Sequence, residues 1–337
     1  MRKIRNFPRY RKSQERAHRR YLYLNHRKRR ESTFRKGRLK TKEKLVRSRS
    51  LAIPAPPNFS FINNTEGMII FLDRLRVALD LKQSVLVDLS EVVEITNDAL
   101  IAMLSVIQDP RVANNVEAFV KLPEESSKVA ARLRESGIRE QFAGLQDVVP
   151  AKHGRIRNKW SLEADTSKAN ELIAFATKEV FGRKKQLRDV QRILSECVDN
   201  TTFHASGKRD RKLHEAWWAT VFCEGNPKVA YFSVLDNGVG IAEHLKINWL
   251  NQLKLLKKYQ TNPDLLKAVF EGAVLSSTGL SNRGNGLPAI FRARSRGQFS
   301  ALIVITNNVY IDFDQGLYRE LPKPFRGTFF YWEVRKP

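Results

Sequence analysis

One motif, Glu196-Cys-Val-Asp-Asn200, combines an acid and an amide at a spacing that suits phosphate chemistry. Four residues of separation put Glu196 and Asn200 on one face of a helix, one turn apart. The amide oxygen of Asn200 is a suitable ligand for Mg²⁺, which is commonly held by one protein group together with phosphates and water. The carboxylate of Glu196 could orient or deprotonate a water or hydroxyl that attacks a γ-phosphate. A solvated helix face is the alternative interpretation.

Three glycine-containing motifs follow this helix. The first, D-N-G-V-G at Asp236–Gly240, comes directly after an apolar strand predicted over 228–235. An acid at a strand end can accept a hydrogen bond from the exocyclic amine of a base, and the glycines let a ligand approach the backbone. The second, Gly284–Leu287, precedes a short predicted helix, whose N-terminal amides can bind phosphate oxygens. The third, Gly327–Thr328, opens the last predicted strand. Any one of these glycine motifs alone is more simply a turn.

Two other nucleotide-binding motifs do not fit the sequence. The first glycine pair continues as G-x-G-x-x-Glu243, with glutamate where a dinucleotide fingerprint needs a small residue. The second pair follows a polar stretch, 276–283, whereas that fingerprint requires a strand. The chain also has no G-x-x-x-x-G-K-[ST], which excludes a P-loop.

Taken together and in order, the four motifs resemble the N, G1, G2 and G3 boxes of the GHKL ATPase superfamily. That superfamily includes sensor histidine kinases, anti-sigma serine kinases, type II topoisomerases, MutL and heat-shock chaperones. The resemblance covers roughly 164–337 and implies an α/β Bergerat sandwich: a mixed sheet with helices on one face, and ATP with Mg²⁺ bound between helix and lid. It implies that Glu196 is catalytic and that Asn200 holds the magnesium. The implied ATP contacts are Asp236, Gly238, Gly240, Gly284, Asn285, Gly286, Leu287 and Thr328.

The segment between the second and third motifs, 241–283, is long for such a lid and is predicted to be helical over about 242–273. Its end carries the hydroxyls of Ser277 and Thr278 and the guanidinium of Arg283, which could reach a γ-phosphate. A lid that orders around the nucleotide would gate access to it; a surface loop is the alternative. His204, one turn past Asn200, lies near the phosphates in one interpretation and is structural in the other.

Residues 51–150 alternate between helical and strand patterns, which predicts a small α/β domain. Helices are expected over about 66–80, 97–108 and 126–136, and strands over 84–89 and 116–121. The sequence of Val85–Leu100 resembles the STAS domain of anti-sigma-factor antagonists; it reads V-L-V-D-L-S-E-V-V-E-I-T-N-D-A-L. Where that family has a phosphorylated serine, this chain has Thr96–Ala99, without serine. We predict that Asp98 caps the helix and that the domain docks a protein partner; a fixed negative charge at the helix N-terminus is the alternative.

The charge of the 337-residue chain is concentrated at its N-terminus. Lysine and arginine total 60 against 35 acids, and residues 1–50 hold 21 of these bases with three acids, a net charge of +18. Such a segment is predicted to be a disordered tail. Its aromatic residues, between the charges, suit stacking on bases, so nucleic acid or another polyanion is the expected partner. A solubilising tail, or one that docks on an acidic protein, is the alternative.

Composition favours a cytoplasmic protein without a membrane partner. Two cysteines are too few for a disulfide framework or a structural zinc site. No apolar stretch approaches the roughly 20 residues of a membrane span, and no secretion signal follows the basic start. The expected organisation is a tail (1–50), a STAS-like domain (51–150) and a GHKL domain (151–337), whose folded part is expected to begin after His153–Lys159. The sequence leaves open whether the chain forms a homodimer.

None of the six histidines has the H-E-[LF]-[RK] context of a sensor histidine kinase. The preferred activity is an ATPase switch, whose lid closure changes how the STAS-like domain and the tail engage partners. A serine/threonine protein kinase of the anti-sigma type is the alternative, weakened by the missing acceptor serine. A third hypothesis, an ATP-holding nucleic-acid-binding module without catalysis, leaves Glu196 without a role.

Overall fold

The computed structural model describes residues 50–109, 118–136, 154–160, 166–204, 216–249, 259–273 and 286–336. For 154–160, 166–168, 199–204, 216 and 247–249 it describes the backbone alone. The chain divides into two units after Ser50, and the elements below belong to the second unit, Leu51–Pro337. No helix within the described ranges is both long enough and apolar enough to cross a membrane.

Residues 51–136, named here the N-terminal module, alternate strands and helices. Its elements are β1 (Leu51–Pro54), β2 (Asn58–Phe59), α1 (Thr65–Asp80), β3 (Val85–Asp88), β4 (Glu94–Ile95), α2 (Asn97–Ile107), β5 (Ala118–Lys121) and α3 (Lys128–Glu135). Strand β3 lies between β1 and β5 and runs parallel to both, while β2 pairs with β4, also in parallel. Parallel neighbours need a crossover connection, which α1 and α2 supply. The helices and strands predicted here are confirmed where the structure describes them.

Residues 154–336, named here the C-terminal segment, form a five-stranded sheet with helices. Its elements are β6 (Gly154–Trp160), α4 (Thr166–Phe181), α5 (Arg188–His204), β7 (Ala216–Glu224), β8 (Val229–Asp236), α6 (Ile241–Trp249), α7 (Asn262–Phe270), α8 (Gly286–Arg294), β9 (Ser300–Asp312) and β10 (Leu317–Val334). The strand order is β6-β7-β8-β10-β9. The second domain is expected from the sequence to begin after His153–Lys159, but most of this stretch belongs to the edge strand β6, which pairs with β7.

All strand pairs described in this sheet are antiparallel, whereas the resemblance implied a mixed sheet. Short connections explain part of the difference, because a link of a few residues can join only antiparallel neighbours. Residues 225–228 join β7 to β8, and residues 313–316 join β9 to β10. The chain is therefore a mixed α/β protein, with a parallel sheet in the N-terminal module and an antiparallel sheet in the C-terminal segment.

Both faces of the antiparallel sheet are buried, not one. Alternate residues of its strands point to opposite faces. On one face, side chains such as Phe232 and Trp332, stacked at 5.2 Å between ring centroids, pack with residues of α4, α5, α7 and α8. On the other face Phe329 meets Phe61 of the N-terminal module edge to face, at 4.8 Å between centroids. The cluster on that face also contains buried residues of α1 and α2, so the N-terminal module and the C-terminal segment share a core.

The start of α2 contradicts the prediction that Asp98 caps this helix. The N-cap residue is Thr96, whose side chain makes no capping hydrogen bond. Asp98 is the second residue of α2, and its carboxylate is buried in the core. It accepts hydrogen bonds from the amides of Phe61 (2.6 Å) and Ile62 (3.2 Å). Burial raises the pKa of Asp98 above its ordinary value, although these hydrogen bonds oppose the shift. Asp98 therefore fixes the chain entering α1 through these two amides.

Candidate functional site

The carboxylate predicted to recognise a purine, Asp236, ends strand β8 and is 8% exposed. Its Oδ1 accepts a hydrogen bond from the backbone amide of Gly238 at 2.7 Å. In the antiparallel register Asp236 lies opposite Thr328 of β10. Residues opposite each other in such a pair project from the same face of the sheet, so the second and fourth motifs lie side by side.

A small cavity joins these two motifs to the first. Its volume is about 20 Å³, and its lining consists of Cys197, Val234, Leu235, Asp236, Ile241, Thr328 and Phe330. Cys197 follows Glu196 directly on α5, so this helix of the first motif lies over the end of β8. Asn200 comes three residues after Cys197 in the same helix, which is nearly one turn. The cavity therefore brings three sequence motifs, spread over more than 130 positions, to one place.

The Cys197 thiol is buried in the wall of the cavity. It is 4% exposed, and burial raises its pKa well above the ordinary value, with the negative charges of Asp236 and Glu196 adding to the shift. A thiol with a raised pKa stays protonated near neutral pH and is a poor nucleophile and metal ligand. Cys197 thus contributes an apolar wall to the cavity, a role that the sequence did not indicate.

Glu196 lies against the third motif. A Cβ placed on Gly286, the first residue of α8, would overlap the Glu196 carboxylate, so the end of this side chain lies against the α8 backbone. The half-buried Glu196 side chain is therefore held beside the N-terminus of α8, where the helix dipole favours a negative charge. The first and third motifs are in direct contact, although their spacing in the sequence does not require it.

The loop after Asp236 is held by two residues that sequence reasoning missed, Thr306 and Asn307 at one bend of β9. The Asn307 Oδ1 accepts a hydrogen bond from the amide of Ala242 at 3.0 Å, and its Nδ2 donates to the Val239 carbonyl at 2.8 Å. The Thr306 hydroxyl accepts from the amide of Ile241, also at 3.0 Å. Together these side chains cap α6, and no local pattern reveals them because their partners lie more than 60 positions away.

Two glycines of the motifs adopt backbone conformations that favour glycine. Gly240 has φ +81°, and a Cβ there would overlap the Asn307 side chain. Gly327 has φ +118°, and its Cβ would overlap the carbonyl of Asp236 in the neighbouring strand. Both are needed for the close approach of β9 and β10 to the loop that carries Asp236.

The remaining predicted site residues are placed only in part. Gly238 is buried in the loop after β8, and Leu287 of α8 packs partly buried against the core. The backbones of Asn200 and His204 belong to α5, but their side chains lie outside the described part of the structure. Ser277, Thr278, Arg283, Gly284 and Asn285 lie outside the described residues altogether.

Among the residues that the structure describes, no three His, Cys, Asp or Glu side chains stand close enough to hold a metal ion together. The magnesium expected from the sequence relies on the amide of Asn200, a ligand of a different type. In the comparisons with known proteins, no family model and no curated protein matches the chain.

Proposed function

We propose that the C-terminal segment binds Mg-ATP in the manner of the GHKL superfamily and hydrolyses it, acting as a conformational switch. The observation that carries this proposal is the convergence of motifs around one cavity. Cys197 of the first motif, Asp236 of the second and Thr328 of the fourth line it, while Glu196 lies against Gly286 of the third. Each of these short motifs is common by chance, and a shared ligand would explain why all four lie in one region of the fold.

The chemistry of the cavity suits the edge of a purine. A carboxylate has about four lone-pair positions, so Asp236 can accept further hydrogen bonds beside the one from Gly238. The other walls are mainly apolar, as expected for the flat face of a base. A volume of about 20 Å³ is enough for one water molecule. A purine is larger than this cavity. With its amine edge at Asp236, it must either displace neighbouring side chains or lie across the opening of the cavity.

Helix α5 orders the other groups along the triphosphate. In this proposal Glu196 orients an attacking water and accepts its proton, and its half-buried position against α8 supports that role. The amide of Asn200, one helical turn further along, would hold the magnesium. When bound, Mg²⁺ would neutralise charge on the phosphate oxygens. The STAS-like identity of the N-terminal module belongs to the same proposal, and its parallel sheet with crossover helices supports it.

Phosphate release from purified full-length protein tests the hydrolysis. We expect Mg-ATP-dependent release that falls about 100-fold or more in Glu196→Ala, because a positioned base contributes 10²–10⁴-fold. Glu179→Gln is the matched control: Glu179 is a carboxylate on the neighbouring helix α4, paired with Lys228 and not part of the cavity. Equal release by the wild type and Glu196→Ala would overturn the catalytic role, and equal loss in Glu179→Gln would show a general structural effect.

A further inference from the structure

The residue after Asp236 connects the candidate site to the N-terminal module. The Asn237 Nδ2 donates hydrogen bonds to the Ser105 carbonyl (2.8 Å) and to Asp109 Oδ2 (3.1 Å). Its Oδ1 accepts from Arg76 Nη2 at 3.2 Å, and the Ser105 hydroxyl approaches the same oxygen at 3.4 Å. Arg76 belongs to α1, Ser105 to α2, and Asp109 follows α2 directly.

This junction, defined as Arg76, Ser105, Asp109 and Asn237, is buried throughout. Its members are between 1 and 9% exposed. A buried guanidinium and a buried carboxylate both meet the one amide side chain, whose oxygen accepts a hydrogen bond from Arg76 and whose nitrogen donates one to Asp109. Removing the hydrogen-bond partner of a buried polar group lowers the stability of the folded protein substantially. The amide of Asn237 is therefore held in one orientation by groups of the N-terminal module.

Asp236 and Asn237 are neighbours that point to opposite faces of the sheet. Asp236 lines the cavity beneath α5, while Asn237 contacts α1 and α2, which cover the other face. The two side chains share one peptide unit, so fixing the second restricts the direction of the first. If α2 moved relative to the sheet, it would move Asn237, and the shared peptide unit would change the direction of the Asp236 carboxylate.

We propose that Asn237 is a positioning residue through which the N-terminal module holds Asp236 in its nucleotide-binding geometry. This inference rests on the proposed function, because it concerns the affinity of the same cavity for ATP. Coupling between two sites is reciprocal. A partner that shifts α2 on binding to the N-terminal module changes ATP affinity, and ATP changes the affinity for that partner by the same factor.

Equilibrium binding of Mg-ATP to the full chain, measured by calorimetry, tests the proposal. Asn237→Leu keeps a similar size but removes the hydrogen bonds of Asn237 to Arg76, Ser105 and Asp109, and we expect about tenfold weaker ATP binding, which corresponds to about 1.4 kcal/mol. Asp109→Asn keeps an acceptor for the Asn237 amide and should stay within about threefold of the wild type, since one hydrogen bond is weakened and not lost.

Asn97→Leu is the matched control. Asn97 is a buried amide at the opposite end of α2, 6% exposed, and neither its nitrogen nor its oxygen has a hydrogen-bond partner in the described structure. Removing this amide should leave ATP affinity unchanged within about twofold, since its side chain makes no hydrogen bond to lose. Equal weakening in Asn97→Leu and Asn237→Leu would reduce the junction to a structural role and overturn the proposal.

A second measurement on the wild type covers the case that Asn237→Leu does not fold. In hydrogen exchange followed by mass spectrometry, Mg-ATP should slow exchange in residues 102–107 of α2 as well as in 237–242. Protection confined to 237–242 would overturn the inference. If the wild type binds no ATP, the proposed function falls and this inference with it. If the wild type binds and Asn237→Leu binds equally well, this inference alone falls.

Discussion

Asp98 and Asp236 are both buried aspartates, 6% and 8% exposed; Asp98 is the second residue of α2 and Asp236 is the last residue of β8. Asp98 accepts hydrogen bonds from the amides of Phe61 and Ile62 inside the shared core. Asp236 accepts one from Gly238 and also forms part of a cavity wall to which distant motifs contribute. Burial of the carboxylate therefore does not distinguish Asp98, which holds the chain entering α1, from Asp236, which we propose binds a purine. The distinguishing feature is the cavity and the convergence of other motifs on it.

The largest effect that separates the two aspartates is expected from Asp98→Ala. Removing the carboxylate leaves the amides of Phe61 and Ile62 buried without their acceptor, which should lower the free energy of unfolding by about 3 kcal/mol. Urea unfolding followed by circular dichroism measures this loss. The affinity of the folded variant for Mg-ATP should not change. A loss of affinity in this variant would contradict the assignment of a purely structural role to Asp98.

Asn307→Ala should show that structure and binding are coupled at the Asp236 end. The substitution removes the hydrogen bonds to Ala242 and Val239 that hold the loop after Asp236, so we expect a stability loss of about 1–2 kcal/mol. Because the same loop positions the cavity, ATP affinity should fall severalfold as well. Thermal unfolding and calorimetric binding measured on the same preparation test both effects. A stability loss with unchanged affinity would make Asn307 only a helix cap.

The smallest effect concerns Asp88, whose pKa moves in the opposite direction to that of Asp98. Burial opposes its ionisation, but hydrogen bonds from Lys121 and Ser90 outweigh burial and lower its pKa from 3.8 to about 2. A lowered folded pKa gives stability above pH 3.8 that is lost as pH falls towards about 2. The raised pKa of Asp98 has the reverse sign: its contribution is present below pH 3.8 and is lost as pH rises through the folded value.

Asp88→Asn should therefore flatten the loss of stability in that acid range, by less than about 1 kcal/mol because Lys121 is half-exposed. Urea unfolding from pH 5 down to 2 measures the slope, with Asp73→Asn on the exposed side of α1 as the control. A slope identical to that of the wild type would show that the Lys121 pair contributes nothing.

Sequence reasoning succeeded where a local pattern sets the structure. The apolar spacing of α1, with Met68, Phe71, Leu72 and Leu75 buried, and the apolar run of β8 are properties of short windows. Strand β6 was missed because its sequence, G-R-I-R-N-K-W, is basic, as is common for edge strands, and lacks the apolar alternation of a typical strand.

The site was predicted as a set of motifs but not as an arrangement. The sequence indicated Glu196, Asp236 and Thr328, and the structure adds that Asp236 and Thr328 share a cavity wall with Cys197. The polar partners that hold the loop could not be predicted, because Asn237 and Asn307 bond to residues 65–161 positions away. Asp98 was assigned to capping by its place at a helix start, and only the fold reveals that Phe61 and Ile62 lie against it.

The affinity of the full chain for Mg-ATP, measured by calorimetry for the wild type, Asp236→Asn and Asp98→Asn, tests the central claim most directly. Asparagine at 236 keeps an acceptor for Gly238 but presents an amide donor to the purine amine, so binding should weaken about 100-fold or more. Asp98→Asn should bind as the wild type does. An undetectable affinity in the wild type, or equal affinities of the wild type and Asp236→Asn, would contradict a purine site at the end of β8.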